Sequence, residues 1–208
     1  RSGGVVHLFG TGHSHLVSLE AFHRAGGLAP VNTMIEVPLT EFYSGRGAFM
    51  ERLSGYARII LDYHDPRPGE VLVIISNSGI NPVPVEMAME AKERGLFVAA
   101  VTNIAHARSV ASRHASGKRL FEIADLVVDT HGVPGDAAVP LDPAGLVRTG
   151  PLSTLAGVFI VDLVMTETAA LLYETGQDVP LYRSANLEGS DEHNQRLVER
   201  YRARIKGL

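Results

Sequence analysis

The sequence predicts an α/β protein built on a doubly wound, five-stranded parallel sheet. Three observations predict it. Five short β-type runs, at residues 5–9, 33–37, 71–75, 97–101 and 126–129, are separated by helical stretches. The run "VLVIIS" is apolar throughout, as a parallel strand covered on both faces requires. Alternation of strands with amphipathic helices is the pattern of a crossover fold.

The elements follow in order. The first run enters Gly10-Thr11-Gly12, and Leu16, Leu19, Phe22 and Ala25 mark one face of a helix that Gly26-Gly27 ends. Pro82 sits near the start of another helix, which Gly95 closes after Lys92 and Arg94. A third helix is expected at about 105–114. Residues 132–150 are rich in Gly, Pro and Asp and read as a loop. A long helix from about Ser153 is apolar almost all round and reads as a buried core helix. A last helix from about Asp191 carries Leu197, Tyr201 and Ile205 on one face. Residues 1–175 are assigned to the domain and 176–208 to a C-terminal extension.

Composition excludes several classes. The chain has 208 residues, no cysteine and a formal net charge of -4. Disulfides, thiolate nucleophiles and cysteine-based zinc sites are thereby absent. No broad basic field argues for nucleic acid or an anionic membrane. Residues 152–173 form the longest apolar stretch, but Asp162 and Glu167 interrupt it, at a cost in lipid. No leader is visible, so a cytoplasmic location is expected. The abrupt start reads as that of a chain whose leading helix is not included.

The turn in "LFGTGHSHLVSLEAF" is a place for an anion, and its ligand can be narrowed. A dinucleotide fold needs a third glycine, where His15 stands, and an acid after the second strand, which Glu36 would supply. The triphosphate loop fails at "ASGKRL", where Arg119 replaces Ser/Thr. A sugar phosphate fits better, because a second loop, Ser76-Asn77-Ser78-Gly79, joins the third strand to its helix. In the common order 2-1-3-4-5, the first and third strands flank the topological switch point, where ligands bind. Gly12 and Ser14 are therefore expected to share one crevice with Ser76, Asn77, Ser78 and Gly79. Ser153 and Thr154, which open the long helix, are a third hydroxyl pair. Each hydroxyl bond to a phosphate contributes roughly 1.5–3 kcal/mol. Ser14, Ser78 and Ser153 equally suit helix N-caps.

These residues resemble the SIS (sugar isomerase) domain family, in a branch similar to phosphoheptose isomerases. The resemblance rests on Gly10-Thr11-Gly12-His13-Ser14, on "ISNSGINPVPVEMAMEAKERGLFVAAVTN" and on "ADLVVD" before a loop and an apolar helix. It spans residues 5–173, and "SRHASGKRLFEIADLVVD" and "SANLEGSDEHN" resemble that branch in particular. It implies a flavodoxin-like three-layer sandwich, phosphosugar binding through serines and threonines, a homodimer or homotetramer, and a helix ahead of the first strand. It implies no cofactor and no obligatory metal.

The function expected is aldose–ketose isomerisation through an enediol, which needs a base for a carbon-bound proton and often a histidine. The alternative is a non-catalytic phosphosugar sensor. The resemblance implies a glutamate at the far end of the first helix, where this chain has Arg24. Glu20, one turn earlier, and Glu36 are the candidate bases, with Glu41 a further acid beyond the second strand. His13 and His193 are the candidate acid/base histidines, and His193 could serve a neighbouring subunit's pocket. The His13-x-His15 pair lacks a third placed ligand, so no metal is assigned. The basic cluster His106, Arg108, Arg113, His114, Lys118 and Arg119 reads as a solvated face.

Overall fold

The computed structural model describes residues 3–42 and 45–208. Five parallel strands form the sheet: β1 (Val6–Gly10), β2 (Val31–Thr33), β3 (Val71–Ile75), β4 (Phe97–Thr102) and β5 (Leu126–Asp129). Their spatial order is β2-β1-β3-β4-β5, as expected from the sequence. Register is continuous across the centre, with Gly10 opposite Ile75 and Ile75 opposite Val101. The carboxyl ends of β1 and β3 therefore reach the same level, where the chain leaves into its two serine-bearing turns.

One face carries α3 (Tyr56–His64) and α4 (Pro82–Glu93) over Phe9, Leu72, Ile74, Val98 and Ala100, all buried. The other carries α1 (Ser14–Glu20) and α6 (Ser153–Glu174) over Leu8, Ile75 and Val101. Helices α1 and α6 approach closely. A Cβ on Gly157 would stand 2.9 Å from Val17 Cγ2, so only glycine lets α6 lie this low on α1. The last helix, α7 (Ser190–Tyr201), packs Leu197 and Tyr201, with Ile205 beyond it, against Val5, Ala29 and Tyr182. Leu181 bridges Leu28 in antiparallel sense.

Four expectations need correction. Strand β2 ends at Thr33, earlier than its β-type run suggests, and Val37–Leu39 is a single 3-10 turn with Pro38 in its first positions. Proline has no N–H for a ladder and fixes φ, which suits a turn. Helix α5 (Ile104–Ser109) stops five residues short of the expected end. Its start is held by the Asn103 side chain, which accepts from the His106 amide at 2.9 Å.

Residues 132–150 are not wholly loop, since β6 (Ala137–Pro140) pairs with β7 (Arg148–Pro151) as an antiparallel hairpin. Asp142 accepts from the Ala144 and Val147 amides in its tip, and the Arg148 guanidinium donates to the Ala137 and Ala138 carbonyls. Gly and Pro there mark the hairpin's ends and tip rather than an absence of pairing.

Finally, α6 is not a buried core helix. Only Gly157 and Val161 are buried, and Leu155, Phe159, Leu163, Leu171 and Tyr173 lie exposed. By length and composition α6 is also the one helix among the described residues able to cross a membrane.

Candidate functional site

The turn after β1 is shaped by close approach. A Cβ on Gly10 would lie 2.5 Å from the Ser14 carbonyl oxygen, so glycine is required for the chain to fold back into α1. Gly12 follows at φ +55°, and its amide donates to the Leu39 carbonyl at 2.7 Å. In the turn after β3, Gly79 has φ +59°, and a Cβ there would stand 2.9 Å from Leu120 Cβ. The Gly79 amide donates to Ser76 Oγ at 3.1 Å, and the Asn77 carbonyl accepts from the Asn103 amide. Both turns are built by backbone geometry that their residue types permit.

Between them lies a cleft of about 680 Å³. Of the residues expected at the ligand, His13, Ser14, Ser76, Asn77, Ser78, Ser153 and Thr154 line it. Gly12 and Gly79 serve as turn formers beside it. The serines are not N-caps. The caps of α1, α4 and α6 are His13, Asn81 and Leu152, none with a side-chain cap bond. The hydroxyls of Ser14, Ser78 and Thr154 make no hydrogen bond to the described residues, so all three remain available to a ligand.

The sequence reading missed a carboxylate of this cleft, Glu51. Glu51 follows α2 (Arg46–Met50), and its carbonyl accepts from the Val83 amide at 3.0 Å, tying it to the start of α4. Thr11 Oγ1 donates to Glu51 Oε2 at 2.8 Å, and Asn81 Nδ2 donates to Oε1 at 2.6 Å. Arg113 Nη1 in turn donates to Asn81 Oδ1 at 2.9 Å, which fixes the orientation of that amide. Burial pushes the Glu51 carboxyl above the usual carboxylate range, against the bond from Thr11 and the charge of Arg52 and Arg113. No local motif marks Glu51 in the sequence. Its place in the cleft comes from its contacts to Thr11, after β1, and to Asn81 and Val83, at the start of α4.

Two more groups were not anticipated. His106 lines the cleft instead of joining a solvated basic face. Its Nδ1 accepts from the Gly135 amide at 3.2 Å, so the neutral ring carries its hydrogen on Nε2. Asp136, at φ +70°, sits at the N-terminus of α6. Its Oδ1 accepts from the Leu152 and Ser153 amides at 3.1 and 2.7 Å, and its Oδ2 from the Ser153 hydroxyl at 2.9 Å. The anion-seeking end of α6 thus already holds a carboxylate.

Several expected catalytic residues lie away from this cleft. Glu20 pairs with Arg24 one turn along α1, and Arg24 also reaches Asp162 at 3.9 Å. Glu36 accepts from the Tyr56 hydroxyl at 3.0 Å. Burial and then Glu36 push that hydroxyl up to about 12. His193 Nε2 is spent on the Leu181 carbonyl at 2.9 Å. Glu41 stands beside Gly12 at the cleft's approach, exposed. His15 is buried with Nδ1 on the Gly12 carbonyl, so it and His13 do not face a common point. Among the described residues no group of three His, Asp or Glu side chains is placed to hold a metal ion.

A family model described as the SIS domain matches residues 1–103. A UPF0309 protein of Geobacillus kaustophilus is 42% identical over 210 residues, covering 100% of this chain and 83% of that protein. One of Halalkalibacterium halodurans is 41% identical over 207 residues, covering 99% and 82%. Among solved structures, the sugar isomerase domain of an RpiR transcription factor from Sphaerobacter thermophilus aligns with a TM-score of 0.46 at 16% identity, over 93% of this chain and 75% of that one. A phosphoheptose isomerase from Francisella tularensis aligns with a TM-score of 0.44 at 15% identity, over 78% and 77%. With nearly its whole length matched at this level of identity, the chain belongs to the UPF0309 family.

Proposed function

We propose that this protein binds a sugar phosphate in the cleft between its two serine-bearing turns and isomerises it between aldose and ketose forms. One observation carries the reading: a carboxylate, Glu51, is held in the same cleft as three unpartnered hydroxyls. Ser14, Ser78 and Thr154 donate to the phosphate oxygens. Asp136 accepts from a sugar hydroxyl on the side of α6. Glu51 removes the proton from the carbon next to the carbonyl and returns it to the neighbouring carbon, so the enediol forms and collapses without net proton loss. Burial suits it to this work, because a raised carboxyl is a stronger base than a solvated one. His106, donating from Nε2, and His13 supply the hydrogen bonds that stabilise the enediol oxygens.

A thermal-shift panel of hexose, heptose and N-acetylhexosamine phosphates tests binding, and proton exchange in heavy water on the best hit tests catalysis. Ser78→Ala is expected to weaken sugar-phosphate binding about tenfold, through loss of one charge-assisted bond. Unchanged affinity in calorimetry would place the phosphate elsewhere.

A second reading is a phosphosugar sensor without turnover. It is favoured by the engagement of both Glu51 oxygens, on Thr11 and Asn81, which is how a structural carboxylate is held. Binding without solvent exchange into the sugar would select it.

The exposed face of α6 is assigned to contact with a second copy. Leu155, Phe159 and Leu163 recur every fourth residue, each about half exposed or more. The opposite face lies on the sheet, and Asp162 and Glu167 disfavour lipid, so a cytoplasmic oligomer goes with this reading. Phe159→Glu is expected to convert a dimer or tetramer to smaller species in light scattering after gel filtration. An unchanged mass would remove α6 from the interface.

A further inference from the structure

A second constellation, remote from the cleft, is built on buried histidines. Glu70 is the anchor. Its carboxylate is 3.0 Å from His7 Nε2, so that nitrogen carries the hydrogen and His7 Nδ1 is left to accept. The Asn32 amide nitrogen, 2.9 Å from His7 Nδ1, is the donor there. The same amide nitrogen donates its other hydrogen to His64 Nδ1 at 3.2 Å. The tautomer of His64 follows: Nδ1 accepts, and Nε2 bears the hydrogen. The relay Glu70–His7–Asn32–His64 therefore ends in a fixed N–H donor on a side chain that is almost wholly buried.

His64 stands in the wall of a pocket of about 360 Å³ on the open edge of β2. Leu19, Phe22, Ile35 and Tyr63 provide its apolar surface, and Thr33 also lines it. Thr33 is more than nine-tenths buried, and its hydroxyl has no hydrogen-bond partner among the described residues. That hydroxyl is shut off from the pocket's space, so the polar group the wall presents is His64. Lys206 completes the rim, its ammonium 5.7 Å from the centre of the Tyr63 ring. The pocket thus combines one cation, one neutral donor on His64 and two aromatic walls. That set suits a singly charged flat anion. A phosphate dianion would find only one charge and mostly apolar walls.

We propose that this pocket is a second ligand site, which takes a small aromatic carboxylate with its ring between Phe22 and Tyr63 and its head on Lys206 and His64. Phenylacetate is the probe, titrated into the full chain by calorimetry and by nitrogen-edited spectra of the histidine rings. It is expected to bind and to move the His64 ring signals, while phenylacetamide and inorganic phosphate at the same concentration leave them in place. Lys206→Met, on the surface, is expected to keep the fold and weaken phenylacetate about tenfold or more, the effect of losing one charged partner. Equal binding of the acid and the amide would overturn the proposal. So would an affinity untouched by Lys206→Met, a response confined to His13 and His106 of the cleft, or no binding at millimolar phenylacetate.

Discussion

Glu51→Gln is expected to lower isomerase turnover at least about a hundredfold while sugar-phosphate affinity stays within a few-fold of the parent. The amide keeps the shape of the carboxylate. Its oxygen still accepts from Asn81, and the Thr11 hydroxyl can turn to accept from the new NH2, so the fold around α2 and α4 survives. What is lost is the capacity to take a proton from carbon. The parent's kcat/KM should fall on the acid side at a pH above the usual carboxylate range, because burial raises the Glu51 carboxyl and the base must be ionised to act. Glu20→Gln is the contrast. Its side chain pairs with Arg24 and does not line the cleft, so turnover should be near that of the parent. Solvent proton exchange that persists in Glu51→Gln and disappears in Glu20→Gln would reverse the assignment.

Glu70→Ala is expected to destabilise the fold by about 3–5 kcal/mol, the range for removing one partner of a buried charged network. Glu70 is 6% exposed and accepts from the Val5 and Arg67 amides, from His7 and from Arg204. It thereby joins the first strand to the segment beyond α7. Its removal leaves Arg204 and the Val5 amide without partners, and a shift in the urea midpoint measures the loss. The same group makes stability depend on pH. Burial pushes its carboxyl up, but the Arg67 amide, His7, the Val5 amide and Arg204 outweigh that and hold it down at about 2. A depressed carboxylate stabilises the fold above its unfolded value and ceases to do so as pH falls through its folded value. The contribution, about 3 kcal/mol, is therefore lost between roughly pH 4.5 and 2.

His64 acts in the same direction at higher pH. Burial, then the charges of His7 and Lys206, lower it to about 4. The unfolded chain takes up that proton first, so stability begins to decline below about pH 6.5. Glu70→Gln should remove the lower limb and retain the upper one. Urea midpoints of Glu70→Gln that still track the parent between pH 4.5 and 3 would show that another group governs acid unfolding.

The sheet was legible because its signal is local. Continuous apolar runs, the Gly10 and Gly79 turns and the caps of α4 each concern a few neighbouring residues, and each obeys a steric rule that holds in any context. The strand order was expected as the common 2-1-3-4-5 arrangement of this fold class, and with it the meeting of Ser14 with Ser76 and Ser78 at one cleft. The hairpin of β6 and β7 was hidden, because pairing depends on Arg148 reaching across to Ala137, and Gly and Pro composition does not report it. Helix α6 misled for a related reason. Apolar composition says that a surface must be covered, but not whether this chain or a second copy covers it.

By itself, then, the sequence determined the parallel strands and the two glycine-bearing turns that follow the first and third of them. Only the tertiary structure decided which acid joins them. Glu20, Glu36 and Glu51 are equivalent in one dimension, and only the packing that sets Glu51 against Thr11 and Asn81 brings it to the cleft and desolvates it there.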